Sequence, residues 1–208
     1  MVTLSKIYTR TGDAGQTRLS DNSVTRKTDL RVEAYGHVDE CNSLIGVAIA
    51  LGGIPERVQE MLAIVRNELF DVGADLSTPL HPSPPWPPLR IEQPSIDRLE
   101  GYCDELQEGL TTLRSFILPG GTPSGAQLHV ARTVARRAER TAWACHEQYG
   151  DQPQEHDGGV NLLAITYLNR LSDLLFIMAR ATNGVEAETL WVPGTDREAP
   201  PKRRSATA

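Results

Sequence analysis

The placement of proline constrains this chain more than any other feature. Seven of its 14 prolines fall between Pro79 and Pro94, in PLHPSPPWPPLRIEQP, and three more stand near the end at Pro193, Pro200 and Pro201. Proline has no amide donor, and its ring clashes with the preceding turn, so it breaks helix interiors. The long proline-free stretches between these positions are where helices can run.

Five such stretches carry helical periodicity, with apolar residues recurring every three or four positions. The first, about 29–51, is lined by Leu30, Ala34, Val38, Cys41, Ile45 and Ala48. The second, about 56–77, carries Val58, Met61, Leu62, Val65, Leu69, Val72 and Leu76. The third is predicted to begin at Ser95 as N-cap and to present Ile96, Leu99, Cys103, Leu106 and Leu110. The fourth is predicted from Ser124 to about Tyr149, after the turn Pro119-Gly120-Gly121-Thr122-Pro123. The fifth, Gly159 to about Thr182, is apolar nearly all round and ends at Asn183-Gly184, a C-cap signal. A helix of that kind belongs in the middle of a bundle.

Strands do not alternate with helices, which argues against a doubly wound α/β fold. The expected fold is all-α, a five-helix bundle forming one domain over residues 1–190, with a flexible tail over 191–208. Two long connections remain, the first 28 or so residues and the segment 79–94. Loops of that length are functional or disordered. The first is taken as functional and the second as mobile.

Composition narrows the function. No apolar run approaches the roughly 18 residues of a bilayer span. Met1 to Lys6 form no apolar leader, so a cytoplasmic address is expected and no membrane partner. Cys41, Cys103 and Cys145 make no CxxC pair and read as small core or boundary residues. A net charge of -6 argues against nucleic acid as a general partner, and the basic triplet at 202–204 is too short for a nucleic-acid arm. Any anion must meet a local basic cluster.

Two stretches supply one. In residues 6–18, Gly12 and Gly15 allow tight turns, Thr9, Thr11 and Thr17 offer hydroxyls, and Arg10 and Arg18 add charge. These are the groups that hold phosphate oxygens, although the GxxxxGK[ST] pattern is absent. A simple polar turn is the other reading. On the fourth helix, Arg132, Arg136 and Arg140 are spaced i, i+4, i+8 and share one face, with Glu139 placed to fix Arg136. Guanidinium groups stacked in this way repel one another unless they face a polyanion or carboxylates from another chain. A solvated charged face is the alternative. Asn169 and Asp173 interrupt the apolar fifth helix, where burial would oblige each to find a partner. Asp39, Glu40 and Asn42 border the apolar face of the first helix, and Asp39 is placed to pair with an arginine such as Arg132. The Glu-x-x-His pair of di-iron bundles is missing, as are GxSxG, HExxH and an EF-hand loop. No metal-ligating residues are assigned.

Six motifs in order carry a resemblance: KIYTRTGDAGQT at 6–17, RK at 26–27, RVEAYGHVDECNS at 31–43, FILPGG at 116–121, RTVARRAER at 132–140 and LNRLSDLLF at 168–176. In these the chain resembles the PduO-type ATP:cob(I)alamin adenosyltransferases, over about residues 6–185. The resemblance implies a homotrimer with active sites between subunits and an N-terminal segment wrapping ATP. It implies that Thr9, Arg10, Thr11, Gly12, Thr17, Arg18 and Lys27 hold ATP, with Arg136, Arg137, Glu139, Arg140 and Asn169 completing the site. Mg²⁺ would bridge phosphate oxygens. Asp39 would pair with Arg132 across the subunit interface, and Phe116 would press on the lower face of cobalamin and keep its base off the cobalt.

The implied reaction gives adenosylcobalamin and triphosphate, with cobalt(I) as nucleophile, so no side-chain nucleophile is required. The protein aligns the reactants and neutralises the leaving group. An external reductase would supply cobalt(I), and an adenosylcobalamin-dependent enzyme would accept the product. The alternative is a non-catalytic ATP- and corrinoid-binding trimer, a sensor or carrier; a purely structural bundle would leave the arginine ladder unexplained. The connection at 150–159 is longer than compact members of the family require and is expected to be a disordered excursion.

Overall fold

The computed structural model describes residue 8 and residues 10–197. Five helices dominate it: α1 (Leu30–Leu51), α2 (Glu56–Leu76), α3 (Gln93–Gln107), α4 (Pro123–Tyr149) and α5 (Leu162–Asn183). Before them comes a hairpin of β1 (Gln16–Arg18) and β2 (Val24–Arg26), antiparallel, with Thr17 opposite Thr25. Single 3₁₀ turns follow at Val185–Ala187 and Gly194–Asp196.

The helix ends follow from local chemistry. Asp29, Thr122 and Asn161 each accept a backbone N–H as N-caps of α1, α4 and α5. Gly184 closes α5 with φ at 74°, a left-handed conformation that suits glycine. The start of α3 differs from expectation. Its N-cap is Glu92, and Pro94 lies inside the first turn, where a missing amide costs nothing. That helix also stops at Gln107, so Leu110 lies beyond it. α5 begins at Leu162 rather than Gly159, because Gly158, Gly159 and Val160 are buried in the preceding loop.

α5 packs against α4, α3 and α2, and Tyr167, Leu168, Leu171, Leu174, Leu175 and Met178 along it are fully buried. Its length and mean hydropathy of 1.4 would suffice for a membrane crossing, yet 56% of that stretch is buried within the bundle, as a core helix requires. The sequence reading saw no such run because Asn169, Arg170 and Asp173 interrupt it. α1 and α4 approach closely through Ala34, Ala48, Ala131, Ala135, Ala138 and Ala142, all wholly buried. Small residues at that seam explain how a chain with 5% aromatics fills its core.

The two long connections expected to be mobile and disordered instead pack on each other. Leu80 donates its amide to Gly159 O at 3.0 Å, and Gln154 donates to Leu80 O at 3.1 Å. Gly158 has no room for a side chain, since a Cβ there would sit 1.7 Å from Leu80 O. Beneath them, the buried Asp75 carboxylate accepts from Arg90 Nη1 (2.6 Å), Ile91 N (2.7 Å) and Asn161 Nδ2 (2.7 Å). Arg31, 2% exposed, donates to Leu76 O (3.0 Å) and Gly158 O (2.7 Å). Two charged side chains therefore hold the proline-rich segment and the 150–159 loop against the helices.

Candidate functional site

The N-terminal motif forms a cleft of about 560 Å³ beside the hairpin. Arg10, Thr11, Gly12, Thr17, Arg18 and Lys27 line it, along with Tyr8, Asp13, Gln16 and Val24. Gly15 takes φ 80°, and its amide closes a turn onto Gly12 O at 3.2 Å. A Cβ on Gly12 would lie 3.1 Å from both Cε and Nζ of Lys27, so the lysine chain crosses directly over that glycine. Lys27 N also donates to Gly15 O at 2.9 Å. Three cations, Arg10, Arg18 and Lys27, thus converge on one polar hollow. Thr9 lies outside the described residues.

The second cluster lies along α4. Arg132 is half-buried, with its guanidinium 6.0 Å from the Phe176 ring centroid and its Nε unpaired. Burial and then the charge of Arg136 lower its pKa. Arg136 is exposed, and its guanidinium has no partner among the described residues. Arg140 Nη1 turns back to Arg136 O at 3.0 Å. Arg137 makes an ion pair with Glu40 on α1, and the Arg137 hydrogen bond holds the Glu40 carboxyl below the usual range.

Two expectations change here. Glu139 does not fix Arg136; it accepts from Asn169 Nδ2 at 3.0 Å. Asn169 and Asp173 are exposed rather than buried, so neither incurs the desolvation that the sequence suggested. Asp173 pairs with Arg170 at 3.2 Å. Asp39 is also exposed and makes no pair with Arg132 within the chain; it borders a separate cleft of about 570 Å³ with Arg18, Tyr35 and Phe70. The hairpin cleft contains no α4 residue in its lining, so one chain keeps its two basic groups apart.

Phe116 is 79% exposed and sits on a braced loop. Trp191 N donates to Phe116 O (2.7 Å), Leu118 N donates to Thr189 O (2.8 Å), and Ser115 Oγ donates to Trp191 O (2.8 Å). The Trp191 ring meets Phe116 edge-on at 6.2 Å. Asn183 grips the same loop, accepting from Thr122 N and Oγ1 (both 2.9 Å) and donating to Gly120 O (2.8 Å). Trp191 lies within the segment 191–208 expected as a flexible tail, and these contacts tie it to the Phe116 loop. Residues 198–208 lie outside the described residues.

Among the described residues no group of three or more His, Cys, Asp or Glu gathers to hold a metal ion. Burial pushes the Cys41 thiol up to about 12 and those of Cys103 and Cys145 to about 11, so none is a ready nucleophile. The arrangement offers cation clusters and an exposed aromatic. It suits a displacement in which nucleophile and electrophile both belong to substrates.

Comparison with known proteins agrees with this chemistry. A family model described as cobalamin adenosyltransferase matches residues 7–182. A corrinoid adenosyltransferase of Mycobacterium tuberculosis is 54% identical over 198 residues, 95% of this chain and 98% of the relative. One from Bacillus subtilis is 40% identical over 181 residues, 86% of each chain. Among solved structures, a phenylalanine-to-alanine variant of a PduO-type ATP:corrinoid adenosyltransferase from Lactobacillus reuteri, complexed with cobalamin and ATP, superposes with a TM-score of 0.76. It is 35% identical to this chain, covering 91% of it and 99% of the variant.

Proposed function

Since this chain belongs to the cobalamin adenosyltransferase family, we propose that its hairpin cleft and the α4 arginines together take up ATP, while Phe116 meets the corrinoid. The enzyme transfers the 5′-deoxyadenosyl group of ATP to a corrinoid. A cobalt–carbon bond forms to C5′ of the ribose, the C5′–oxygen bond breaks, and triphosphate leaves with the electron pair.

The leaving group sets the demand on the protein. Charge builds on the triphosphate as the bond breaks, and fixed cations aimed there lower the barrier. Arg10, Thr11, Gly12, Thr17, Arg18 and Lys27 form one side of the cradle, and Arg136, Arg137 and Arg140 form the other. The Glu139 carboxylate would be repelled by phosphate, so with Asn169 it suits the ribose hydroxyls. The observation that carries this reading is the exposed guanidinium of Arg136, which has no partner among the described residues and stands one turn from both Arg132 and Arg140.

One chain keeps the two halves of this cradle apart, so the hairpin of one protomer meets α4 of its neighbour in a homotrimer. The unpaired Arg132 Nε then finds Asp39 of the adjacent protomer. Mg²⁺ would bridge phosphate oxygens and add to the neutralisation of the triphosphate. Cobalt(I) comes from an external reductase, and the product passes to an adenosylcobalamin-dependent enzyme, in the cytoplasm.

An anaerobic absorbance assay with cob(I)alamin, ATP and Mg²⁺ tests the reading. Adenosylcobalamin should appear only with ATP, with one triphosphate released per turnover; ATP binding without conversion would instead indicate a carrier. Phe116→Ala should keep the KM for ATP within about twofold but lose the base-off cobalt(II) spectrum, because a flat apolar ring excludes both base and water from the cobalt. Persistence of that spectrum would remove Phe116 from the role.

A further inference from the structure

The hairpin that bears the ATP cleft is tied to the helices at two places. At its turn, Ser20 N donates to Ser77 O at 3.2 Å, beyond the end of α2. At its other end lies a single carboxylate. Asp29 Oδ1 accepts from Arg31 N at 2.7 Å, which is all that capping α1 requires. Its Oδ2 does something else: it accepts from Thr25 Oγ1 on β2 at 2.8 Å and from Tyr149 Oη, on the last residue of α4, at 2.6 Å. One side chain therefore joins β2, α1 and α4.

Tyr149 is itself held in place. The Arg31 guanidinium lies 4.9 Å from its ring centroid, and that guanidinium is fixed by Leu76 O and Gly158 O. From Thr25 the path to the cleft is short. Thr25 faces Thr17 across the ladder, and Lys27 follows β2 by one residue and bonds through its amide to Gly15 O. A shift at Thr25 moves Thr17 and Lys27 with it.

We propose that Asp29 and Tyr149 are positioning residues for ATP, a clasp that sets the hairpin so that Thr17 and Lys27 meet the triphosphate. The proposal rests on the reading of the hairpin cleft as part of the ATP site. Tyr149→Phe removes one hydroxyl and leaves the Asp29 cap of α1 intact, so the fold survives to be measured. Steady-state kinetics with ATP and cob(I)alamin varied separately, and inhibition by inorganic triphosphate, give the readouts.

The KM for ATP should rise about three- to tenfold, the net worth of an ordinary hydrogen bond, because the clasp acts on ATP only through the hairpin. The inhibition constant for triphosphate should rise in parallel, while kcat and the corrinoid KM stay within about twofold. Thr25→Val should behave alike. In a Lys27→Ala background, Tyr149→Phe should add less than it does alone, since part of the clasp's effect runs through that lysine. A lowered Tm with an unchanged ATP KM, or fully additive effects of Tyr149→Phe and Lys27→Ala, would overturn the clasp while leaving the ATP site standing. If Lys27→Ala alone leaves the ATP KM unchanged, the reading of the cleft falls, and the clasp's role falls with it.

Discussion

Replacing Arg136 with alanine should lower kcat/KM for ATP by about a hundred- to a thousandfold, the range seen when one preorganised donor to a developing anion is removed. The fold should not suffer. Arg136 is exposed and unpartnered among the described residues, so truncation strands no buried group. It also removes a like charge from the i, i+4 ladder with Arg132 and Arg140, a relief of a few tenths of a kcal/mol. The Tm should therefore stay level or rise slightly. Arg136→Lys keeps the charge but not the planar fork, and should recover only part of the loss. Both kcat and KM should respond, because the bond-breaking step and the bound triphosphate share the same cation. Arg137→Ala is the useful contrast. Its partner Glu40 is about half exposed, so separating the pair should cost no more than about 1 kcal/mol. Unchanged kinetics in Arg136→Ala, with the protein folded, would exclude that residue from the site.

The five helices were legible because their apolar spacing survives in one dimension. Proline and capping residues marked most of their ends, and the start of α3 was misplaced because Pro94 looks the same before a helix as in its first turn. The residues of the N-terminal motif were also legible, since the turn that gathers Arg10, Gly12 and Thr17 is local; Lys27 joins them through a hairpin that the pattern did not reveal. Three-residue strands are too short for alternation to register. What failed was the direction of particular polar side chains. Asn169 and Asp173 sit in an apolar helix yet lie on its narrow outward stripe, and Glu139 turned to Asn169 rather than Arg136. The two loops misread as mobile are polar and rich in Gly or Pro, and composition cannot show that Gly158 packs against a backbone oxygen. Trp191 needed the long-range ladder to Phe116 to reveal it.

The same blindness hid Asp75, which should prove the most costly charged residue to remove. Asp75→Ala should destabilise the protein by about 3–5 kcal/mol, the range for breaking a buried ion pair from one side. Asp75 is 1% exposed, and the Arg90 side chain only 18%. Without the carboxylate, Arg90 keeps its bonds to Asp75 O, Thr78 O and Pro79 O but loses its countercharge in a largely dry site. Ile91 N loses its acceptor too, and Asn161 Nδ2 keeps only Ile91 O. Three consequences follow from one deletion: the proline-rich segment loses its anchor, α5 loses part of its N-terminal support, and a cation is left half-buried. A chain of this size loses about 2–4 °C of Tm per kcal/mol, so a fall of about 6–20 °C is expected at fixed protein concentration. Asp75→Asn retains the shape and one acceptor oxygen, and should lose distinctly less. The double change Asp75→Leu with Arg90→Met should cost less than the two single changes summed, because neither charge is then left alone. Thermal unfolding followed by circular dichroism decides the matter. A cost below about 1 kcal/mol for Asp75→Ala would mean that water enters the site and takes over the carboxylate's bonds, and that the two loops are held by their packing on each other instead.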